Sequence, residues 1–161
     1  MKRLVVPLLV ALVAGALLSV GSAALAGGVT HHVSVGSPDA SLFPPGTDAN
    51  FSLVANERAD GTVEGQWQDT FFGRGEPALP VHVAITCLEV DGQDAWVSGT
   101  ITHPDFLAGL PAITQVRDNG TSANDPPDQV SFTFQALSVD ECLDKPDLPL
   151  FDLNNGEVKV R

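Results

Sequence analysis

Basic residues are scarce in this chain: eight Lys and Arg stand against 20 Asp and Glu among 161 residues, a formal net charge of −12. Such an acidic surface repels phosphate backbones and anionic headgroups, which argues against nucleic acid and negatively charged membranes as partners. Cysteine is limited to Cys87 and Cys142, too far apart for a CxxC redox motif or a zinc pair. Glu, Lys and Gln, the straight-chain polar helix formers, number only 14 after residue 26. That shortage speaks against a helical bundle or an alternating βαβ protein. There is no G-x-S-x-G elbow, no G-x-G-x-x-G, no P-loop and no serine or cysteine with an evident histidine partner, so the main sequence signals for catalysis and cofactor binding are missing.

What is present begins with an export signal. Met1-Lys2-Arg3 is a short basic head, Leu4 to Val20 is apolar apart from Pro7, Gly15 and Ser19, and Ala24-Leu25-Ala26 supplies a small-x-small cleavage pattern. The pattern predicts a signal peptide over residues 1–26, a mature chain from Gly27, a secreted location and no membrane insertion after processing. Pro7 and Gly15 weigh against the competing reading of residues 4–26 as a spanning anchor. Loss of Lys2 and Arg3 leaves six basic groups against 20 acidic ones. In an oxidising compartment the two cysteines are expected to form one Cys87–Cys142 disulfide.

The remaining 135 residues hold 37 Val, Ile, Thr, Phe and Trp, with 24 Gly and Pro spread between short apolar runs. This composition predicts an all-β domain, a single antiparallel sandwich or a small partly closed barrel of about seven to eight strands. Residues 27–48 are rich in Gly, Ser and Pro and read as an arm or an edge strand, with the β domain over residues 49–161. Phe51, Leu53 and Ala55 alternate with polar residues, Ala59-Asp60-Gly61 is a turn signal, and Val63, Gly65, Trp67 and Phe71 share a face. Asp69 falls on that apolar face. Between residues 81 and 103, a three-residue loop at Asp91-Gly92-Gln93 would set Cys87 against Val97, Ile85 against Gly99, Val83 against Ile101 and Val81 against His103. Val130, Phe132 and Phe134 are in phase for one further strand, residues 139–149 have room for a short helical turn around Cys142, and Glu157 to Arg161 is a closing strand.

The blocks Ala49-Asn50-Phe51-Ser52, Ala59-Asp60-Gly61-Thr62-Val63, Gly65-Gln66-Trp67-Gln68-Asp69, Val81-His82-Val83, Val116-Arg117-Asp118-Asn119-Gly120, Ala123-Asn124-Asp125-Pro126-Pro127-Asp128-Gln129 and Gly156-Glu157-Val158-Lys159-Val160-Arg161 are similar to a group of small, exported, β-rich bacterial proteins of uncharacterised function. The resemblance spans residues 49–161. It implies an exported β domain and carries no catalytic or ligand residues with it.

Three places invite a functional reading. The loop containing Asp118, Asn119, Asn124, Asp125 and Asp128 is dense in hard oxygen ligands, the donors calcium takes, yet it lacks EF-hand spacing and serves equally as turn chemistry. Trp96 and Leu88 fall together on a mostly polar face and form a candidate contact surface for a cell-surface protein or a glycan, unless Leu107 and Leu110 fold over the indole. His82 and His103 fall on opposite faces in the register above and so share no metal, and His31 and His32 sit in the least patterned region. Gly65 and Trp67 are spaced as in the GxW of lipocalins, but with nothing else of that family in view Trp67 reads as a core residue. The leading expectation is a non-enzymatic, disulfide-stapled β domain with a binding or structural surface role. A calcium-dependent binding module is the alternative, and a small hydrolase built on an Asp/Glu pair is a third reading, which needs a cleft and a raised carboxyl pKa.

Overall fold

The computed structural model describes residues 28–39, 48–72, 79–122, 124–153 and 155–161. The expected signal peptide over residues 1–26 lies outside them, as does Ala123 of the acidic loop. The chain forms one antiparallel sheet curled into a half-barrel, consistent with the all-β class that the alternating pattern predicts. Its strands are β1 (Val29–Asp39), β2 (Asp48–Arg58), β3 (Val63–Phe72), β4 (Leu79–Asp91), β5 (Asp94–His103), β6 (Pro111–Arg117), β7 (Gln129–Val130), β8 (Phe134–Gln135), β9 (Phe151–Asp152) and β10 (Asn155–Val160). The spatial order is β10-β1-β2-β3-β4-β5-β6-β7-β9, with β8 also paired to β6. Residues 29–39 are therefore not an arm or an edge: β1 lies between β10 and β2 and puts Val33 and Val35 into the core.

The inner face has the period-two pattern. Val33, Phe51, Leu53, Ala55, Trp67, Val83, Ile85, Val97, Val116, Val130 and Val158 are buried in one continuous cluster. The β2–β3 hairpin turns at Ala59-Asp60-Gly61. Gly61 adopts φ +79° and the Thr62 amide donates to Asp60 Oδ1 at 2.9 Å, so the glycine and the aspartate close the turn together. Opposite Trp67 sits Leu53, and opposite Asp69 sits Phe51, which leaves a carboxyl among hydrophobic side chains as the alternation predicts.

Two corrections concern β4 and β5. Ile85 pairs with Gly99 and Val83 with Ile101 as expected, but Cys87 meets Ser98, Leu88 meets Val97 and His82 meets His103. An extra residue in each strand, Thr86 in β4 and Thr102 in β5, forms a β-bulge and reverses the facing of the residues beyond it. The turn then closes tightly, with Asp91 opposite Asp94. A third correction concerns residues 130–134. They form no single strand, because residues 131–133 leave the ladder between β7 and β8. Ser131 replaces the lost pairing locally: its amide donates to the Gln115 carbonyl at 2.7 Å and its hydroxyl accepts the Gln115 amide at 2.7 Å.

Gly65 and Gly99 lie on one row across the sheet, paired through Ile85. A Cβ at Gly65 would stand 2.1 Å from the Val54 carbonyl oxygen, and one at Gly99 would stand 2.0 Å from that of Ala84. The backbones approach too closely there for any side chain, which is why both positions are glycine.

The outer face is half covered. A strap comprising residues 137–148, with a 3-10 turn at Glu141–Asp144, crosses β4, β5 and β6 and is pinned by the Cys87–Cys142 disulfide. Beneath it Trp96, Cys87 and Cys142 form a second buried cluster. Ser98 Oγ donates to the Val139 carbonyl at 2.6 Å, Trp96 Nε1 donates to the Pro146 carbonyl at 2.8 Å, and the Leu148 amide donates to Gln115 Oε1 at 3.2 Å. The rest of the outer face, over β2 to β5, is open.

Candidate binding face

The open half of the outer face is concave. A trough of about 550 Å³ runs over the glycine row, and its polar wall is made by Ser52, Gln66, Gln68, His82 and Thr102, with Val54 and Ala84 between them. Strand alternation places these side chains outward while Leu53, Trp67 and Val83 point to the core from the same strands. Ser52, Gln68, His82 and His103 stand in one register row across four strands, and Val54, Gln66 and Ala84 stand in the next. Gln68 Nε2 donates to Thr70 Oγ1 at 3.2 Å, which fixes that amide in orientation. Although the chain carries 20 acidic residues, none lines this trough. Its donors and acceptors are amides, hydroxyls and imidazole held on a hydrogen-bonded sheet, so they meet a ligand with little ordering cost.

The expected Trp96/Leu88 surface is not formed. The bulge at Thr86 sends Leu88 into the main core, 5% exposed, while Trp96 stays on the outer face beneath the strap, 8% exposed. The cover over the indole is the disulfide and the Pro146 carbonyl, with the Lys145 ammonium 5.9 Å from the ring centre, and Leu107 packs on the main core instead.

The acidic loop is brought against β10. Asp128 Oδ1 accepts the Asn119 amide at 2.8 Å and its Oδ2 accepts the Val158 amide at 2.7 Å. Asp118 Oδ1 accepts the Gly120 amide at 3.0 Å and its Oδ2 accepts the Val160 amide at 3.1 Å. Val158 and Val160 are alternate residues of the strand at the end of the sheet, and these amides point away from β1. Two carboxylates thus take the hydrogen bonds that a further strand would take, closing the seam and blunting an exposed edge. Asp125 caps its own turn through the Ser122 amide at 2.7 Å, and Asn119 Nδ2 donates to the Pro127 carbonyl at 2.6 Å. The Asn124 amide donates to Ser122 Oγ at 3.4 Å. Of the five expected ligand residues, Asp118, Asn119 and Asp128 meet at the seam, while Asp125 and Asn124 serve the loop's outer turn.

Asp69 is the carboxyl whose pKa moves most. It is 1% exposed inside the half-barrel, where its Oδ2 accepts from the Thr133 amide at 3.2 Å and the Thr133 hydroxyl at 2.9 Å. Thr133 Oγ1 in turn accepts from Trp67 Nε1 at 3.1 Å, and Asp69 Oδ1 has no partner among the described residues. Burial pushes this carboxyl up to about 6, against the pull of the two Thr133 hydrogen bonds, and no second carboxylate contributes. Sequence reasoning marks Asp69 as out of place but has no signal for Thr133, 64 residues away.

This carboxyl ties stability to pH. The folded state holds the Asp69 proton more tightly than the unfolded chain, so its contribution is greatest below the ordinary value of 3.8 and declines as pH rises through about 6. The full effect is about 3 kcal/mol by pH 8. Asp69→Asn removes the charge and keeps an acceptor for Thr133. Its urea midpoint is expected to exceed that of the wild type at pH 8 and to converge toward it near pH 5. Parallel pH profiles for the two proteins would show that Asp69 does not titrate across folding.

Comparison with protein-family models, with curated proteins and with solved structures finds no match.

Proposed function

We propose that this is a secreted, non-enzymatic binding domain whose trough over β2 to β5 takes a neutral, hydroxyl-rich ligand, a surface glycan being the chemistry that suits it. One observation carries the reading: within a chain of net charge −12, a trough on the open face presents amides, hydroxyls and a single imidazole beside apolar side chains, and no carboxylate lines it. Side-chain amides and hydroxyls both donate and accept, which matches the paired donor and acceptor character of sugar hydroxyls. An acidic surround repels polyanions, so the ligand is uncharged or cationic overall. The rigid sheet and the stapled strap beside it hold the lining in place before contact, which limits the entropy lost on binding.

The test is an NMR titration of the mature chain with soluble neutral oligosaccharides built on glucose, mannose, galactose or N-acetylglucosamine. The side-chain amides of Gln66 and Gln68 are expected to shift with at least one of them. Val54→Arg, which fills the trough from an exposed position, is expected to weaken that binding by about tenfold or more, a loss of about 1.4 kcal/mol. Silence at Gln66 and Gln68 across the whole panel would refute the glycan reading.

A further inference from the structure

We propose that His82 and His103 form a two-imidazole binding site for a late first-row divalent metal ion, Cu(II) or Zn(II), at the rim of the open face. The bulge at Thr102 makes the two residues direct register partners on β4 and β5. Their ring centroids stand 5.2 Å apart with planes inclined at 49°. A metal about 2.0–2.1 Å from each coordinating nitrogen lies roughly 3.2 Å from each ring centre, so two imidazoles at right-angled to tetrahedral geometry have centroids about 4.5–5.2 Å apart. The observed spacing sits at the tetrahedral end of that interval.

Availability separates this pair from the other histidines. Both side chains are exposed, and among the described residues neither imidazole has a hydrogen-bond partner. His31 Nδ1 is engaged by Glu57 Oε2 at 2.7 Å and His32 Nδ1 by Asn56 Oδ1 at 2.8 Å. Imidazole is the ligand these ions favour, with affinity rising to Cu(II) along the divalent series. No cluster of three or more His, Cys, Asp or Glu with metal-binding spacing occurs among the described residues. The remaining coordination positions are therefore open to water or to a donor atom from a molecule lying in the trough, where His82 forms part of the wall. The site requires only the two rings and is independent of whether the trough takes a glycan.

The experiment uses the untagged full mature chain, titrated with Zn(II) by calorimetry and with Cu(II) by electron paramagnetic resonance. One ion per chain is expected, with the spectral signature of two nitrogen ligands and affinity falling as protons compete at lower pH. His82→Gln and His103→Gln are each expected to weaken binding by about tenfold or more, while the double variant His31→Gln/His32→Gln binds as the wild type. Sub-stoichiometric Cu(II) added to the wild type should broaden the imidazole proton signals of His82 and His103 first. This readout decides the question even if a variant folds poorly. No saturable binding at millimolar metal, undiminished binding in both single variants, or loss of binding in the His31/His32 variant would overturn the proposal. Metal binding with silent oligosaccharides would leave this site standing while ending the glycan reading, and the reverse result would do the opposite.

Discussion

Removing the disulfide, by reduction or as Cys87→Ala/Cys142→Ala, is expected to lower unfolding stability by about 4 kcal/mol at 25 °C. The two cysteines are 55 residues apart, and closing a loop of that size restricts the unfolded chain by about that amount in the chain-entropy model. The folded state adds a local component. Cys142 is fully buried against Trp96, and its amide donates to Ser98 Oγ at 3.2 Å. Two Ala substitutions leave space in that small cluster, so the variant should fall slightly below the reduced wild type. Urea unfolding with and without reductant measures the effect. The midpoint should drop and the slope should rise modestly, because the unlinked unfolded chain exposes more surface. A loss below about 1 kcal/mol would mean that the strap detaches before the sheet unfolds, in which case the cross-link constrains only residues 137–148. Hydrogen exchange at the Cys142 and Leu148 amides, faster than the core in that case, would identify the early opening.

The second large effect is at the seam. Asp128→Ala leaves the Asn119 and Val158 amides without acceptors, and the Val158 amide lies in the buried interior of the closure. Each hydrogen bond is charge-assisted, and losing the pair is expected to cost about 3 kcal/mol. Asp128→Asn keeps one acceptor and should recover roughly half of that. Asp118→Ala frees the Val160 and Gly120 amides at a half-buried position and should cost less, about 1 kcal/mol. The decisive readout is amide exchange at Val158 and Val160, which should accelerate in the Asp128 and Asp118 variants respectively. Equal protection in mutant and wild type would show that the carboxylates are dispensable to the closure.

The fold class was legible because the inner face is written in alternation: Phe51, Leu53 and Ala55 in one strand, Val83 and Ile85 in another. The β2–β3 hairpin was legible from Ala59-Asp60-Gly61, whose conformation few other residues supply. The bulges were not. Thr86 and Thr102 are ordinary strand residues, and nothing in their chemistry marks them as the extra member of a ladder. Each one reverses the facing of its neighbours, which is why Leu88 and Trp96 were expected side by side and His82 and His103 apart. Asp69 stood out as a carboxyl on an apolar face, yet its partner enters from a segment that leaves the sheet, a tertiary event with no local signature. The acidic loop illustrates a further limit. Aspartate serves turn capping, cation ligation and edge closure with the same oxygens, and only the position of β10 reveals that Asp118 and Asp128 close a seam. The trough was missed for a related reason. It is a product of tertiary shape, and residues such as Gln66 and Ser52 look like any solvated strand face until the sheet is assembled.

The pairing of β1 with β10 has a consequence in time as well as in space. Val33 meets Val160 and Val35 meets Val158, so the first described strand of the domain finds one of its two neighbours in the last. A chain that emerges from its N-terminal end holds β1 with one side unpaired until residues 155–161 are free to join it. The Asp118 and Asp128 side chains likewise await the amides they will accept. Contacts of such long sequence separation slow folding, because chain closure has to precede the reward of pairing. Completion of this sheet is thus a late event in folding, and until then the first described strand is the one most exposed to mispairing with another chain.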